Sequence, residues 1–387
     1  MSSVLQVSSQ NGDITTMVNT TQMVKYWEED FIYECSKRIN KLSDLHALSL
    51  ASKHFFVTIF DNNFPAWFNL LASHFPSSFP TASPQPLPLY RNLKFIDHNM
   101  RAETYQLRTL EGHQAPIRCL TVNDGMLFSG SDNNTIKIWD IAKGIELHTL
   151  SGHQDSIRSL TVNDGKLFSG SVDETIKIWD IASGEELHTL RGHQDIVSCL
   201  EVKDGMLFSG SFDHTIKVWD ITSRTELQTL SGHQDIVSCL TVNDGKLFSG
   251  SWDKTIKIWD IASGKELYTL AGHQDSIHSL TVNDGKLFSS CADTTIIIWD
   301  ITSGKELHTL SGHQKQASCL KVKNGMLFSG SWDSTIKIWD IESGTELYTL
   351  NGHQEMVMCL TVQDGMLFSG SCDKTIKIWD FNPVCNG

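Results

Sequence analysis

No apolar run in this 387-residue chain approaches the length of a spanning helix, which sets aside a helical membrane protein. Excess positive charge is missing as well. The 31 basic residues against 45 acidic ones leave a net charge of −14, whereas nucleic-acid-binding modules are usually basic. Neither a membrane nor nucleic acid is therefore expected as a partner. The chain has no Cys-x-x-Cys pair, nucleophile elbow or phosphate loop, so the expected catalytic residues, metal and cofactors are none. Its opening, MSSVLQVSSQNGDITTMVNTTQ, lacks the basic-then-apolar order of a secretory signal, and its Ser, Thr and Asn content reads as disorder over residues 1–24. Nine cysteines look like material for disulfides, yet Cys119, Cys199, Cys239, Cys319 and Cys359 occupy one repeated position. Ser159 and Ser279 fill it in the other two copies, so the position takes a small side chain, and buried reduced cysteine behaves as a small hydrophobe. The odd total and this placement point to a reducing, cytoplasmic compartment.

What the chain does have is repetition. Trp-Asp recurs at Trp139, Trp179, Trp219, Trp259, Trp299, Trp339 and Trp379, always 40 residues apart. Gly-His opens each segment at the same interval, from Gly112-His113 to Gly352-His353. The unit from Gly232 to Leu270 reads GHQDIVSCLTV, a turn at Asn243-Asp244-Gly245, KLFSGS, a second turn around Trp252-Asp253-Lys254, TIKIWD, IASG and KELYTL. Four short runs rich in β-branched and aromatic residues, separated by turn chemistry, predict four strands. A unit this small cannot bury its own apolar face, so the copies must stack, and strand edges must close on themselves.

Seven such units with both dipeptides resemble the WD40 family of β-propellers. The resemblance implies an all-β seven-bladed propeller over residues 104–381, with a short tail at 382–387. It also implies that each repeat is offset from its blade, the outer strand standing before Gly-His. Tyr105-Gln106-Leu107-Arg108-Thr109-Leu110 has the outer-strand pattern of Glu346-Leu347-Tyr348-Thr349-Leu350, and no such strand follows Trp379-Asp380 in this sequence. The first strand is therefore expected to complete the last blade and seal both edges.

The family resemblance assigns the His of each Gly-His and the Asp six residues before each Trp to a buried network with Ser or Thr and Trp. The pairs are His153 with Asp173, His193 with Asp213, His233 with Asp253, His273 with Asp293, His313 with Asp333, and His353 with Asp373. Seven near-identical copies argue against a catalytic dyad. A satisfied buried network rigidifies a core. Two copies depart: the first has Asn133 for Asp, and the fifth reads SSCADTTIII. Blades one and five are expected to be looser.

Against this uniformity three positions change freely. The third residue after Gly-His reads Pro116, Ser156, Ile196, Ile236, Ser276, Gln316, Met356; two residues later come Arg118, Arg158, Ser198, Ser238, His278, Ser318, Met358. The residue before the bracing Asp or Asn reads Asp132, Val172, Phe212, Trp252, Ala292, Trp332, Cys372. The first two stand at i and i+2 of a strand and should share one side. By the resemblance these positions ring the channel mouth on the top face, where partners dock. Drift on a solvated surface favours small polar residues, yet this ring gathers Ile196, Phe212, Ile236, Trp252, Trp332, Met356 and Met358, the composition of a hot spot for an unidentified target protein. Arg118 and Arg158, in adjacent blades, could grip a carboxylate or phosphate, and His278 joins the same ring.

Composition changes completely in front. Between residues 25 and 75 apolar side chains fall at helical spacing (Phe31, Ile32, Cys35, Ile39, then Leu45, Leu48, Ala51, Phe55), with breaks that divide the stretch into about three short helices. KLSDLHALSLASKHF, residues 41–55, followed by Trp67, resembles an F-box, although the family's usual Leu-Pro is replaced near Val24-Lys25-Tyr26. The resemblance implies a small all-α F-box-like domain whose Ile39, Leu42, Leu45, Leu48, Leu50 and Trp67 divide between its core and contact with a ubiquitin-ligase adaptor protein. A helical cap without a ubiquitin role is the alternative. Residues 76–103 hold a Pro-rich stretch, which makes a stiff extended spacer, and a connecting segment.

Two functions fit. One is a substrate receptor of a cullin-type ubiquitin ligase, helices on the adaptor and propeller top face on the target. The other is a propeller scaffold for protein assembly. The near-identity of the repeats also resembles eukaryote-like repeat proteins that intracellular bacteria deliver into hosts, which would make the compartment the host cytosol.

Overall fold

A computed structural model describes residues 105–381. The described residues belong to one unit of the chain, Leu87–Gly387. The predicted helices at 25–75 and the spacer at 76–103 lie outside the described residues.

Within 105–381 the chain forms seven four-stranded antiparallel sheets. The fourth blade shows how its sequence builds one. Its strands run Val237–Asn243, Lys246–Ser251, Thr255–Asp260 and Glu266–Ala271, from the ring's inside outward. The first hairpin turns on Asp244 and Gly245, both at positive φ (47° and 70°), which is the two-residue turn whose twist matches a right-handed strand pair. Aspartate tolerates that backbone and glycine takes it without steric cost.

The apolar side chains of one blade find their partners on the next. Cys199, Phe208, Ile216, Val218 and Leu230 of the third blade form a single cluster with Val237, Leu240, Leu247 and Trp259 of the fourth. Phe248 and Leu247 are completely removed from water, and burying a side chain of that size contributes about 1.5–3 kcal/mol. Each core layer thus lies between blades, which is the physical reason one unit cannot stand alone.

The ring closes. Gln106–Leu110 pairs antiparallel with Ile376–Asp380, setting Leu107 opposite Trp379 and Leu110 opposite Ile376. The last sheet is thereby made of the first strand and the last three. Leu110, Phe368, Ile376 and Ile378 then pack with Ile117, Leu120, Leu127 and Trp139 of the first blade, so the seam is as apolar as any other junction.

The repeated cysteine position also acquires a reason. A Cβ on Gly250 would lie 2.6 Å from the Cys239 sulfur, so that strand pair takes one sulfur and one glycine. The fifth blade uses two serines instead, Ser279 opposite Ser290, and Ser279 Oγ accepts the Leu320 N–H of the sixth blade at 3.0 Å. The seven cysteines among the described residues are all free and buried.

Candidate functional site

Every inner strand carries a bulge. In the fourth blade Val237 pairs with Ser251 and Cys239 with Gly250, which leaves Ser238 as the extra residue. The corresponding residues elsewhere are Arg118, Arg158, Ser198, His278, Ser318 and Met358. These are the second of the three variable positions. The first and third are tied to each other by backbone: Trp252 N–H donates to the Ile236 carbonyl, Phe212 N–H to that of Ile196 (both 2.9 Å), and Trp332 N–H to that of Gln316 at 3.1 Å. All three positions therefore meet at one end of each blade. Strand alternation is not what unites the first two, because the first precedes the strand and the bulge interrupts the alternation.

On this face the aromatic side chains make a run across three blades. Phe212 and Trp252 have ring centroids 5.8 Å apart at an interplanar angle of 53°, and Trp252 meets the His278 ring edge-on at 6.3 Å. Trp252 is 38% exposed, the single aromatic among the large exposed apolar residues of the described region. Trp332 is half-buried, and its indole N–H lies in the interior without a hydrogen-bond partner in the described region. Ile196, Ile236, Met356 and Met358 are half-buried around them. Burial holds the His278 imidazole below its ordinary pKa, against the nearby Asp275 carboxylate.

A second pole lies at blades one and two. Arg118 grips Asp132 through both its Nε, at 2.8–2.9 Å, and its Nη2, at 2.5 Å. That pair holds Arg118 inside its own blade. Burial and then the Arg118 charge lower the pKa of Arg158, and its Nε has no partner in the described region. The bulge serines do something else: Ser238 Oγ–H is shared between the Gly250 carbonyl, at 3.1 Å, and the Ile277 carbonyl of the next blade, stitching neighbours together.

Two inner-strand residues escaped the sequence reading. Glu201 and Lys321 stand where five other copies have threonine (Thr121, Thr161, Thr241, Thr281, Thr361). Burial pushes the Glu201 carboxyl up, while Lys321, three blades away, and Lys203 work to lower it. Their departure from threonine at one repeat position marks them in the sequence as plainly as the aromatic positions are marked.

Beneath the variable layer lies the bracing network. Trp179 Nε1–H donates to Ser169 Oγ at 2.8 Å, and that oxygen lies 2.7 Å from His153 Nε2. His153 Nδ1 lies 2.7 Å from Asp173, whose other oxygen accepts the Thr175 hydroxyl at 2.6 Å. Because the Asp173 carboxylate can only accept, Nδ1–H donates to it, and in that tautomer Nε2 accepts the Ser169 hydroxyl proton while Ser169 Oγ accepts the indole N–H. Burial works to raise the Asp173 pKa, but the His153, Thr175 and Gln154 hydrogen bonds outweigh it and hold the carboxyl well below its usual range. His193 with Asp213, His233 with Asp253 and His353 with Asp373 repeat the 2.7 Å contact, and His313 with Asp333 makes it at 2.9 Å.

The two divergent copies lack it. In blade one Asn133 spends its single acceptor oxygen on Thr135, and the buried His113 Nδ1 is without a partner. In blade five His273 Nδ1 stands 3.7 Å from Asp293, beyond hydrogen-bond reach, and is likewise unpartnered. Blade five also carries Ile297 where the fourth blade has Lys257, losing the kind of ion pair that Lys257 makes with Glu266 at 2.9 Å.

The adaptor-contact residues expected from the sequence, Ile39, Leu42, Leu45, Leu48, Leu50 and Trp67, lie outside the described residues.

Comparison with known proteins places this geometry. A family described as WD domain, G-beta repeat, matches residues 104–140, 144–180, 184–220, 224–260, 264–300, 304–340 and 344–380. A crystal structure of the computationally designed Ika8 protein is similar at TM-score 0.59 and 35% identity, covering 70% of this chain and 98% of that one. A curated protein of Neurospora crassa, "Probable E3 ubiquitin ligase complex SCF subunit scon-2", is 38% identical over 53 residues. That match takes in 14% of this chain and 8% of the length of the Neurospora protein.

Proposed function

The chain belongs to the WD40, G-beta repeat family, and from that premise we propose that it is the substrate-recognition subunit of a cullin-type ubiquitin ligase. Propellers of this kind are protein-interaction platforms rather than catalysts. In this reading the bulged face captures the target protein, and residues 25–75 dock the ligase adaptor. Ubiquitin transfer then takes place on partner proteins, and the protein works in the cytosol, or in a host cytosol if it is an exported bacterial effector. The free buried cysteines support a reducing compartment.

The observation that carries the reading is the aromatic run Phe212–Trp252–His278. It spans three blades, and one indole is held out toward solvent while its neighbours stay half-buried. Aromatic anchors flanked by apolar side chains and backed by a rigid scaffold are what protein recognition sites concentrate. The ubiquitin half rests on the F-box-like pattern at residues 41–55 and on the short stretch of similarity to the Neurospora SCF subunit.

The test is binding of the full chain to a purified cullin-ligase adaptor, with Leu45→Asp and Leu48→Asp as controls. Saturable binding abolished by both substitutions supports the receptor. Absence of binding by the unmodified chain leaves the same propeller as an assembly scaffold.

A further inference from the structure

The fifth blade breaks the repeat at one cluster. Where the other six blades carry serine, at Ser131, Ser171, Ser211, Ser251, Ser331 and Ser371, this one carries Cys291. Its sulfur, one His273 ring nitrogen and one Asp293 carboxylate oxygen all lie within 4.8 Å of one another. We infer that His273, Cys291 and Asp293 form a binding site for a zinc-class divalent ion.

Three observations carry this. The first is the donor set: one imidazole, one thiolate and one carboxylate are the ligands zinc takes, and three protein ligands leave a fourth position for water or a further group. The second is an orphaned atom. The His273 side chain is 1% exposed, yet its Nδ1 has no hydrogen-bond partner in the described region and lies beside the cluster. A lone pair or N–H buried in that condition is costly, and a metal bond relieves it.

Spacing supplies the third. In the five intact blades the His Nδ1 lies 2.7–2.9 Å from the Asp oxygen, which is a hydrogen bond with no room for an ion. In blade five the gap is 3.7 Å. An imidazole nitrogen and a carboxylate oxygen on one tetrahedral zinc, at bond lengths of about 2.0–2.2 Å, stand roughly 3.3–3.5 Å apart, close to that gap. A sulfur stands beside this gap where the other blades have a serine oxygen, and the Asp293 side chain is 18% exposed against 9–12% for its counterparts. That opening is the ion's way in.

The surroundings orient two of the ligands. His273 Nε2 is held by Ser289 Oγ at 2.6 Å, which aims Nδ1 at the cluster. Asp293 keeps its Oδ1 on the Thr295 hydroxyl at 2.6 Å and its Oδ2 on the Gln274 N–H at 3.1 Å. Cys291 Sγ–H donates to the Asp275 carbonyl oxygen at 3.1 Å, and the sulfur accepts the Asp293 N–H at 3.4 Å. On binding, the thiol proton leaves to solvent and the thiolate bonds the metal; nothing is oxidised or reduced. No Cys-x-x-Cys or His-x-x-x-His spacing announces the site, because its ligands come from two neighbouring turns, 18 and 2 residues apart.

The repeats themselves supply the controls. Cys291→Ser installs the residue found in six blades, and Asp293→Asn the residue found as Asn133, so both variants should fold. The full chain, reduced, is titrated with Co2+ as a spectroscopic stand-in for Zn2+. One Co2+ per chain with a thiolate-to-cobalt charge-transfer band is expected. Cys291→Ser should remove the band, and either variant should weaken zinc affinity, measured against a chelator, by at least about tenfold. An unmodified chain without the band overturns the proposal. So does a Cys291→Ser protein that keeps it, since other thiols then hold the ion.

Discussion

Trp252 of the fourth blade rests its indole 5.8 Å from the Phe212 ring of the third, centroid to centroid, across a blade boundary. Neither residue belongs to the repeat consensus, and each is hydrogen-bonded through its backbone N–H to the other variable position of its own blade. The contact exists because two independently varying positions, 40 residues apart, are carried to one face by the same bulged hairpin.

In the proposed function Trp252 is an anchor that folding does not need. Trp252→Ala combined with Trp332→Ala should lower affinity for a captured target by about 30-fold or more, the scale of an interface hot spot at 2 kcal/mol. Circular dichroism should show an unchanged β signature and a melting temperature lowered by only a few degrees. Undiminished target affinity in the double variant, by calorimetry, sinks the assignment of this face.

The first blade lacks the charged brace, and one substitution restores it. Asn133→Asp places a carboxylate oxygen where His113 Nδ1 is orphaned, as Asp173 does for His153 at 2.7 Å. A charge-assisted hydrogen bond should add about 1–2 kcal/mol to stability. Chemical denaturation of the two proteins measures it, and an unchanged midpoint and slope count against the network's role.

Acid should open blade one before its intact neighbours. Burial, and then the nearby Lys137 charge, lower the His113 pKa from 6.5 to about 4. The unfolded chain therefore binds a proton, between those values, that the folded chain does not. The stabilising contribution is complete above pH 6.5 and is lost as the pH falls toward 4. In the intact blades the Asp173-type carboxylates, shifted downward, lose their contribution only below the ordinary carboxylate value of 3.8. Hydrogen exchange at pH 7 and pH 5 should show protection falling first over residues 113–140, relative to 153–180.

Closure of the ring depends on the first strand. Leu110 is 5% exposed and packs with Phe368 and Ile376 of the last blade and Ile117 of the first. Leu110→Asp buries an unpaired carboxylate in that seam and should cost about 3 kcal/mol or more. It also loosens the cover over the Ile376–Asp380 edge, so concentration-dependent oligomers are expected by light scattering. A monomeric variant melting with the parent protein would contradict a closed seam.

The ring could be read from the chain because its causes are local and repeated. Alternating apolar runs, Asn-Asp-Gly turns and the 40-residue interval specify four strands per unit, and YQLRTL at 105–110 announced its pairing with the last Trp-Asp strand by matching its sister copies. The missing brace in blades one and five was also visible, as Asn133 and as SSCADTTIII. What the linear pattern could not convey is geometry set by the bulge. The i, i+2 rule assumes an uninterrupted strand, and an extra residue at Ser238 and its counterparts voids it. Nor could it tell that Arg118 would turn to Asp132, since the two lie 14 residues apart and meet only when the hairpin folds.

Repetition, turn chemistry and apolar patterning within the sequence alone determine that residues 105–381 make strands that must stack and close. They do so because each strand pairs with its neighbours in the chain, apart from the closing pair, where Gln106–Leu110 repeats the outer-strand pattern that the last blade needs. Tertiary structure alone decides which side chains from different repeats come within touching distance. The aromatic run from Phe212 to His278, the Arg118–Asp132 pair and the 3.7 Å gap between His273 and Asp293 all depend on sub-ångström packing. Whether His273 and Asp293 stand at hydrogen-bond distance or 3.7 Å apart is a matter of one ångström, and no periodicity records that.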